Sequence, residues 1–266
     1  MGLIYSTDIA TLADVTLGNW STTELVGYEH ENLLELDNLC RHWRAGDLDI
    51  GSGIYFVFAA PVALAAIAIL DANFTKVKIY GSADAAVWTD PTDYYSGVKT
   101  ISQNPYTGRY NIYIDISAGF TSYQYLLFNV DTTATVVGPY TTTWKAGSVV
   151  MCYSVEELTT GKAGMSPSAT QARSTYYLNN GRPRVVKKGS LWRYEDVIEF
   201  PTGADADREE VLDLFTADDL DPGLLLYYNN GDTSQVYFGT KDASYQTEYV
   251  YDGVFTPGSF KFIEYI

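Results

Sequence analysis

The stretch from Ile50 to Leu70 carries no charged residue over 21 positions, long enough to cross a bilayer if it were a helix. Three features point instead to buried strands. Pro61 sits mid-run, where it would remove a helical hydrogen bond. The flanks are acidic (Asp47, Asp49, Asp71) rather than Lys- or Arg-rich. Ile54-Tyr55-Phe56-Val57-Phe58 is β-branched and aromatic. The run therefore reads as two strands, 54–60 and 63–70, broken near Pro61, with no membrane insertion.

Further strands follow at 75–80, 110–116, 123–130 and 148–153, and polar and apolar residues alternate over 76–80 and 111–116 as on a sheet with one wet face. The 39 aromatics include 23 Tyr, with 22 Gly and 9 Pro, which fits many short strands joined by turns. No helix longer than two turns is expected before residue 156. Residues 81–108 read as long loops.

The net charge is −16, with a pI near 4.3. Such a chain repels nucleic acid and anionic membranes, so neither is expected as a partner. Against that background, residues 158–194 hold no acid and seven bases: Lys162, Arg173, Arg182, Arg184, Lys187, Lys188 and Arg193. Residues 159–174 are small and polar and read as a linker, exposed to trypsin at Lys162 or Arg173. Two Asn-Gly pairs, Asn180-Gly181 and Asn230-Gly231, each follow Tyr-Tyr and suit type I′ hairpin turns. Asp205 to Asp219 has a helical apolar face (Val211, Leu212, Leu214, Phe215) and capping-box spacing at Asp207 and Glu210.

The organisation expected is a lead-in over 1–31, a β-sandwich over 32–158, a linker over 159–174 and a smaller β-rich unit over 175–266 with a helix at about 205–219. The fold class is mainly β.

No nucleophile motif, P-loop or Gly-x-Gly-x-x-Gly is present, and the only histidines are His30 and His42. Cys40, His42, Asp37 and Cys152 lack the spacing of a common zinc site. Asp47 and Asp49 read as a surface loop rather than a calcium loop. The expectation is therefore no enzyme, no catalytic residue, no metal ligand and no cofactor. Met1-Gly2-Leu3-Ile4-Tyr5-Ser6 shows no signal peptide, and the sequons at Asn19 and Asn73 carry no meaning without one. Aromatics in the 81–108 region, Trp88, Tyr94 and Tyr95, form the candidate ligand-contact loop: such rings stack on a sugar or a partner, or else anchor the loop to its own core.

Trp43-Arg44-Ala45, the strand Ile54–Phe58, Ala65–Leu70 with Asn73, Lys76–Asp84 with Trp88, Tyr123–Val130 and Gly147–Tyr153 occur in an order that resembles a discoidin-like domain, the jelly roll of the coagulation-factor type C family. The family's paired cysteines are not matched. The whole chain, with Gly189–Tyr194 and the final Phe260-Lys261-Phe262-Ile263-Glu264, looks like tail-tip or baseplate structural proteins of long-tailed bacteriophages. That resemblance implies a virion component made and assembled in the host cytoplasm, joining copies of itself in a ring and other tail proteins. Arg182, Arg184, Lys187 and Lys188 are then the candidate assembly contacts. The alternative is a module that holds a carbohydrate or host-surface glycan in its jelly-roll loops.

Overall fold

The computed structural model describes residues 2–20, 23–36, 42–48, 51–84, 94–158, 168–177, 183–199, 203–204, 223–242, 248–251, 254–256 and 259–265. The fold is mainly β. The strands are β1 (Gly2–Ser6), β2 (Val15–Trp20), β3 (Trp43–Arg44), β4 (Gly53–Val62), β5 (Ala66–Ala72), β6 (Lys76–Ser82), β7 (Tyr94–Tyr95), β8 (Lys99–Thr100), β9 (Ser102–Gln103), β10 (Tyr110–Asp115), β11 (Tyr123–Val130), β12 (Lys145–Ala146), β13 (Ser148–Cys152) and β14 (Glu156–Leu158). They continue with β15 (Ser168–Tyr177), β16 (Pro183–Glu199), β17 (Gly203–Ala204), β18 (Leu224–Asn229), β19 (Val236–Asp242), β20 (Glu248–Tyr251), β21 (Val254–Thr256) and β22 (Ser259–Glu264).

Two sheets make a sandwich. One has the order β13-β5-β10-β9; the other runs β2-β4-β11-β6-β7, with β8 also on β6. Ile67 and Ile69 of β5, Ile112 and Ile114 of β10, and Val149 and Met151 of β13 meet Phe56, Phe58, Val77, Ile79, Leu126 and Phe128 from the facing sheet. The alternation visible in the sequence is this inward face.

A third layer covers the back of the first sheet. Ala66, Ala68 and Leu70 of β5, Tyr113 of β10, and Val150 and Cys152 of β13 pack against Leu225, Tyr227, Val236 and Phe238. Those four belong to a seven-stranded sheet of order β14-β1-β18-β19-β22-β16-β15. Burial on both faces explains why 66–70 reads as an unbroken apolar run rather than an alternating one. Within that run, isoleucines point into the sandwich and small alanines leave room for the tyrosines of the third layer. Tyr113 stacks on Tyr227 with ring centroids 4.1 Å apart, and Tyr194 on Tyr237 at 3.7 Å. Each such pair contributes about 0.5–1.5 kcal/mol beyond its buried area.

Polar bonds fix how the layers register. Tyr113 N donates to Thr233 O at 2.9 Å. Asn104 Nδ2 donates to Ser234 O at 2.8 Å, and Asn111 Nδ2 to Val236 O at 3.1 Å. Arg109 and Glu264 form a buried ion pair at 2.9 Å, and the second Glu264 oxygen accepts from Tyr194 N.

Several expectations are corrected here. The lead-in is not loosely structured. β1 is an inner strand, paired with β14 on one side and β18 on the other, while β2 pairs with β4. The partners of β1 lie more than 150 residues away in sequence, so no local pattern marks it. β1 belongs to the third layer and β2 to the sandwich. The linker expected over 159–174 is a strand from Ser168, with Arg173 opposite Lys187 in β16; 159–167 lie outside the described residues. Thr and Ser suit a strand as well as a loop, which is why composition misled. β4 runs through Pro61 to Val62, beyond the last residue paired with β2, where a missing N–H costs no ladder bond. The helix expected at about 205–219 and the turn at Asn180-Gly181 lie outside the described residues. β18 and β19 do form a hairpin, but Tyr227 pairs with Val236, so the connection is longer than a two-residue turn. Asp232 Oδ1 accepts from Ser234 N and Oγ, which presents the carbonyls of Thr233 and Ser234 to the sandwich.

Arg109→Met removes the cation of its buried pair with the Glu264 carboxylate. Urea unfolding should show a loss of about 3–5 kcal/mol. Adding Glu264→Gln, which keeps an acceptor for Tyr194 N without the charge, should recover a large part of it. A single variant as stable as the wild type would contradict this role for the pair.

Candidate ligand-binding cleft

The residues named from the sequence scatter. Trp88 lies outside the described residues. Tyr94 and Tyr95 form β7 on β6. Tyr94 packs edge-on against Phe120 at 5.6 Å, and a Cβ on Gly119 would come within 2.6 Å of its ring. Burial pushes its hydroxyl up to about 12. Tyr94 is thus a loop anchor. Tyr95 is 41% exposed, stacks on Tyr80 at 4.9 Å and does not line the cleft described below. Arg184, Lys187 and Lys188 lie on β16, while Arg182 is outside the described residues. Cys152 is buried and burial pushes its thiol up to about 12, so it stays a protonated core residue. No cluster of three or more metal-ligating side chains occurs among the described residues.

The structure instead forms a cleft at one end of the sandwich, of about 430 Å³. It begins with a bulge. Opposite β10, β5 advances three residues from Ala72 to Ile69 while β10 advances two, from Tyr110 to Ile112. The extra residue is accommodated at Asp71, which takes a left-handed φ of 52°. Such a φ is uncommon for a residue with a side chain and tolerated best by Asp and Asn. Asn111 fills the gap: its Oδ1 accepts from Asp71 N at 2.9 Å while its Nδ2 reaches Val236 O in the third layer. The Asp71 carboxylate then pairs with the Lys145 ammonium, and both line the cleft.

Each wall is pinned by one buried asparagine. Asn73 Nδ2 donates to Tyr140 O at 2.9 Å and Thr143 O at 2.8 Å, and its Oδ1 accepts from Lys145 N at 2.6 Å. Its own carbonyl accepts from Val137 N. That side chain fixes the whole 137–145 loop, and with its amide fully engaged it is closed to glycosylation in the folded chain. On the other wall, Asn104 Oδ1 accepts from Tyr106 N and Thr107 N, closing the turn that carries Thr107, Gly108 and Arg109.

Behind the 137–145 wall lies a stack of rings and cations. The Arg44 guanidinium sits over Tyr140 at 4.5 Å and over Tyr28 at 4.9 Å. Lys145 Nζ lies 5.5 Å from the Tyr140 ring centre, and His42 packs between Tyr28 and Tyr140. Arg44 and Lys145 are cross-strand neighbours in the β3–β12 pair, which places the two cations on one ring. The cleft thus offers two half-buried tyrosines, Tyr110 and Tyr140, a fixed carboxylate and ammonium, and the amide of Gln103 on its rim. This mixture of ring and paired donor and acceptor can hold a small polar ligand with one flatter face.

Asp71, Gln103, Arg109, Tyr110, Tyr140 and Lys145 were not singled out from the sequence. Trp43-Arg44 and Asn73 were, as pieces of the discoidin-like resemblance. A non-glycine bulge and two asparagines that satisfy distant carbonyls leave no local pattern to read.

No protein-family model matches the chain, and no curated protein matches it. Among solved structures it is similar to the third CBM32 module of a family 31 glycoside hydrolase from Clostridium perfringens, at 16% identity and a TM-score of 0.42, covering 55% of this chain and 96% of that one. It is similar to the family 32 module of C. perfringens NanJ in complex with galactose, at 9% identity and 0.41, covering 57% and 99%. It is also similar to reduced XRCC1 bound to the DNA polymerase β catalytic domain, at 10% and 0.38, covering 55% and 97%.

Asn73→Ala should open the 137–145 wall. It orphans Lys145 N and two loop carbonyls, each worth about 1–3 kcal/mol when buried without a partner. Unfolding should shift by at least that amount, and the fluorescence of buried Trp144 should move to longer wavelength. An unchanged midpoint and spectrum would show that the loop is held by other contacts.

Proposed function

We propose that this chain is a non-catalytic module that binds a carbohydrate in the cleft between the 103–109 and 137–145 loops. The observation that supports this most is the preorganisation of the cleft. Both walls are tied by buried asparagines, so little ordering entropy opposes binding. The tyrosines supply faces for the C–H side of a sugar ring, while Asp71, Lys145 and Gln103 supply acceptors and donors for hydroxyls. Hydrolysis by a carboxylate pair uses two flanking acids. The described lining offers Asp71, already paired with Lys145, which favours holding over cleaving.

Isothermal titration against a panel of neutral and acidic oligosaccharides tests the proposal. At least one should bind and stay uncleaved. Tyr140→Ala should weaken it roughly two- to tenfold, the range of one aromatic contact. Tyr95→Ala, remote from the cleft lining, should leave binding unchanged. No binding across the panel, or loss with Tyr95→Ala but not Tyr140→Ala, would sink the cleft as the site.

A second reading is a structural role in a tailed-phage virion. The observation that favours an assembly role is the β15–β16 ribbon at the end of the third layer.

A further inference from the structure

We propose that the basic β15–β16 ribbon docks onto the acidic β14 end of the same sheet in a second copy of this chain, joining copies head to tail.

β22 pairs with β16 over Glu195–Glu199, whereas β15 pairs with β16 from Pro183 to Glu195. Among the described residues, then, the part of β16 before Tyr194 has a strand on one side alone. With β15 it extends from the sheet as a two-stranded ribbon, roughly 30 Å long at about 3.3 Å per residue. An isolated two-stranded ribbon is marginal in water. In register, Arg173 falls opposite Lys187. Arg184, Lys187, Lys188 and Arg193 follow with no acid between Glu157 and Glu195 to offset them. Among the described residues the ribbon has no third strand beside it, and its own sequence from Ser168 to Tyr194 holds no acid.

The opposite end of the sheet supplies both. β14 is the terminal strand there, its outer edge open among the described residues. Its Glu156 and Glu157 are exposed. Asp8 and Asp14, also exposed, lie at the same end: Asp8 Oδ2 accepts from Ser154 Oγ, and Asp8 O accepts from Tyr153 N, just before β14. Among the described residues, one sheet therefore ends in a basic open edge and an acidic open edge. A second copy is the occupant that presents the complement by construction. The contact is heterologous, so repetition closes a ring or extends a filament. Main-chain pairing along the edge supplies affinity, while the opposed charges set register and speed encounter.

Sedimentation velocity on the full chain tests this. At about 50 mM salt, mass should rise above the monomer with concentration, and at about 500 mM the association should weaken as the charges are screened. Arg184→Glu/Lys187→Glu/Lys188→Glu should stay monomeric, and so should Glu156→Lys/Glu157→Lys. Mixing these two variants should restore association, because the reversed ribbon now meets a reversed edge. If the ribbon variant fails to fold by circular dichroism, the single Glu157→Lys change, on an exposed position, should still weaken association about tenfold. A wild type monomeric throughout, variants that associate like wild type, or a monomer that instead binds heparin through the ribbon would each overturn the proposal.

Discussion

The double burial of the β13-β5-β10 sheet is the constraint on which the rest of the structure depends. A sheet covered on both faces must sort its side chains by size as well as by polarity. In β5, Ile67 and Ile69 fill the sandwich while Ala66 and Ala68 leave space on the other side. That space takes the aromatic face of β18 and β19, with Tyr113 stacked on Tyr227. Apolar packing alone would let two sheets slide. The side chains of Asn104 and Asn111, reaching carbonyls of the β18–β19 hairpin, remove that freedom. A slip would leave buried amides and carbonyls without partners, which costs more than the bonds contribute.

The same residues shape the cleft. Asn111 closes the bulge that turns Asp71 toward the cleft, and its other end holds the third layer. Arg109 lines the cleft and pairs with Glu264 in the last strand. Asn104 builds the loop before Arg109 and anchors it to Ser234. One wall is thus supported by the C-terminal half of the chain rather than by the sandwich that contains it. A ligand there would sense the third layer, and a shortened chain ending at β14 would lose the support for that wall.

The sandwich strands were legible because alternation such as Lys76-Val77-Lys78-Ile79-Tyr80 records one wet and one dry face directly. β1 was not, because Leu3 and Tyr5 are buried through partners more than 150 residues away, and nothing nearby in sequence encodes that. Tyr94 and Tyr95 read as rings in a loop, yet they form β7, where the inward ring packs on Phe120 and the outer one stacks on Tyr80. The cleft escaped notice for a related reason. Asp71, Tyr110, Tyr140 and Lys145 come from four separate stretches, and a left-handed aspartate has no composition signature. The charge run at 158–194 was plain from the sequence, but only the strand order shows that it ends one sheet whose other end is acidic.

Native-state hydrogen exchange tests the central claim, that the sandwich and the third layer are one cooperative body. Amides of β5 and β11 should exchange with the same opening free energy as those of β18 and β19, and all should respond alike to urea, as parts of a single unfolding unit do. Strands β18 and β19 opening at clearly lower free energy, while β5 stays protected, would contradict it.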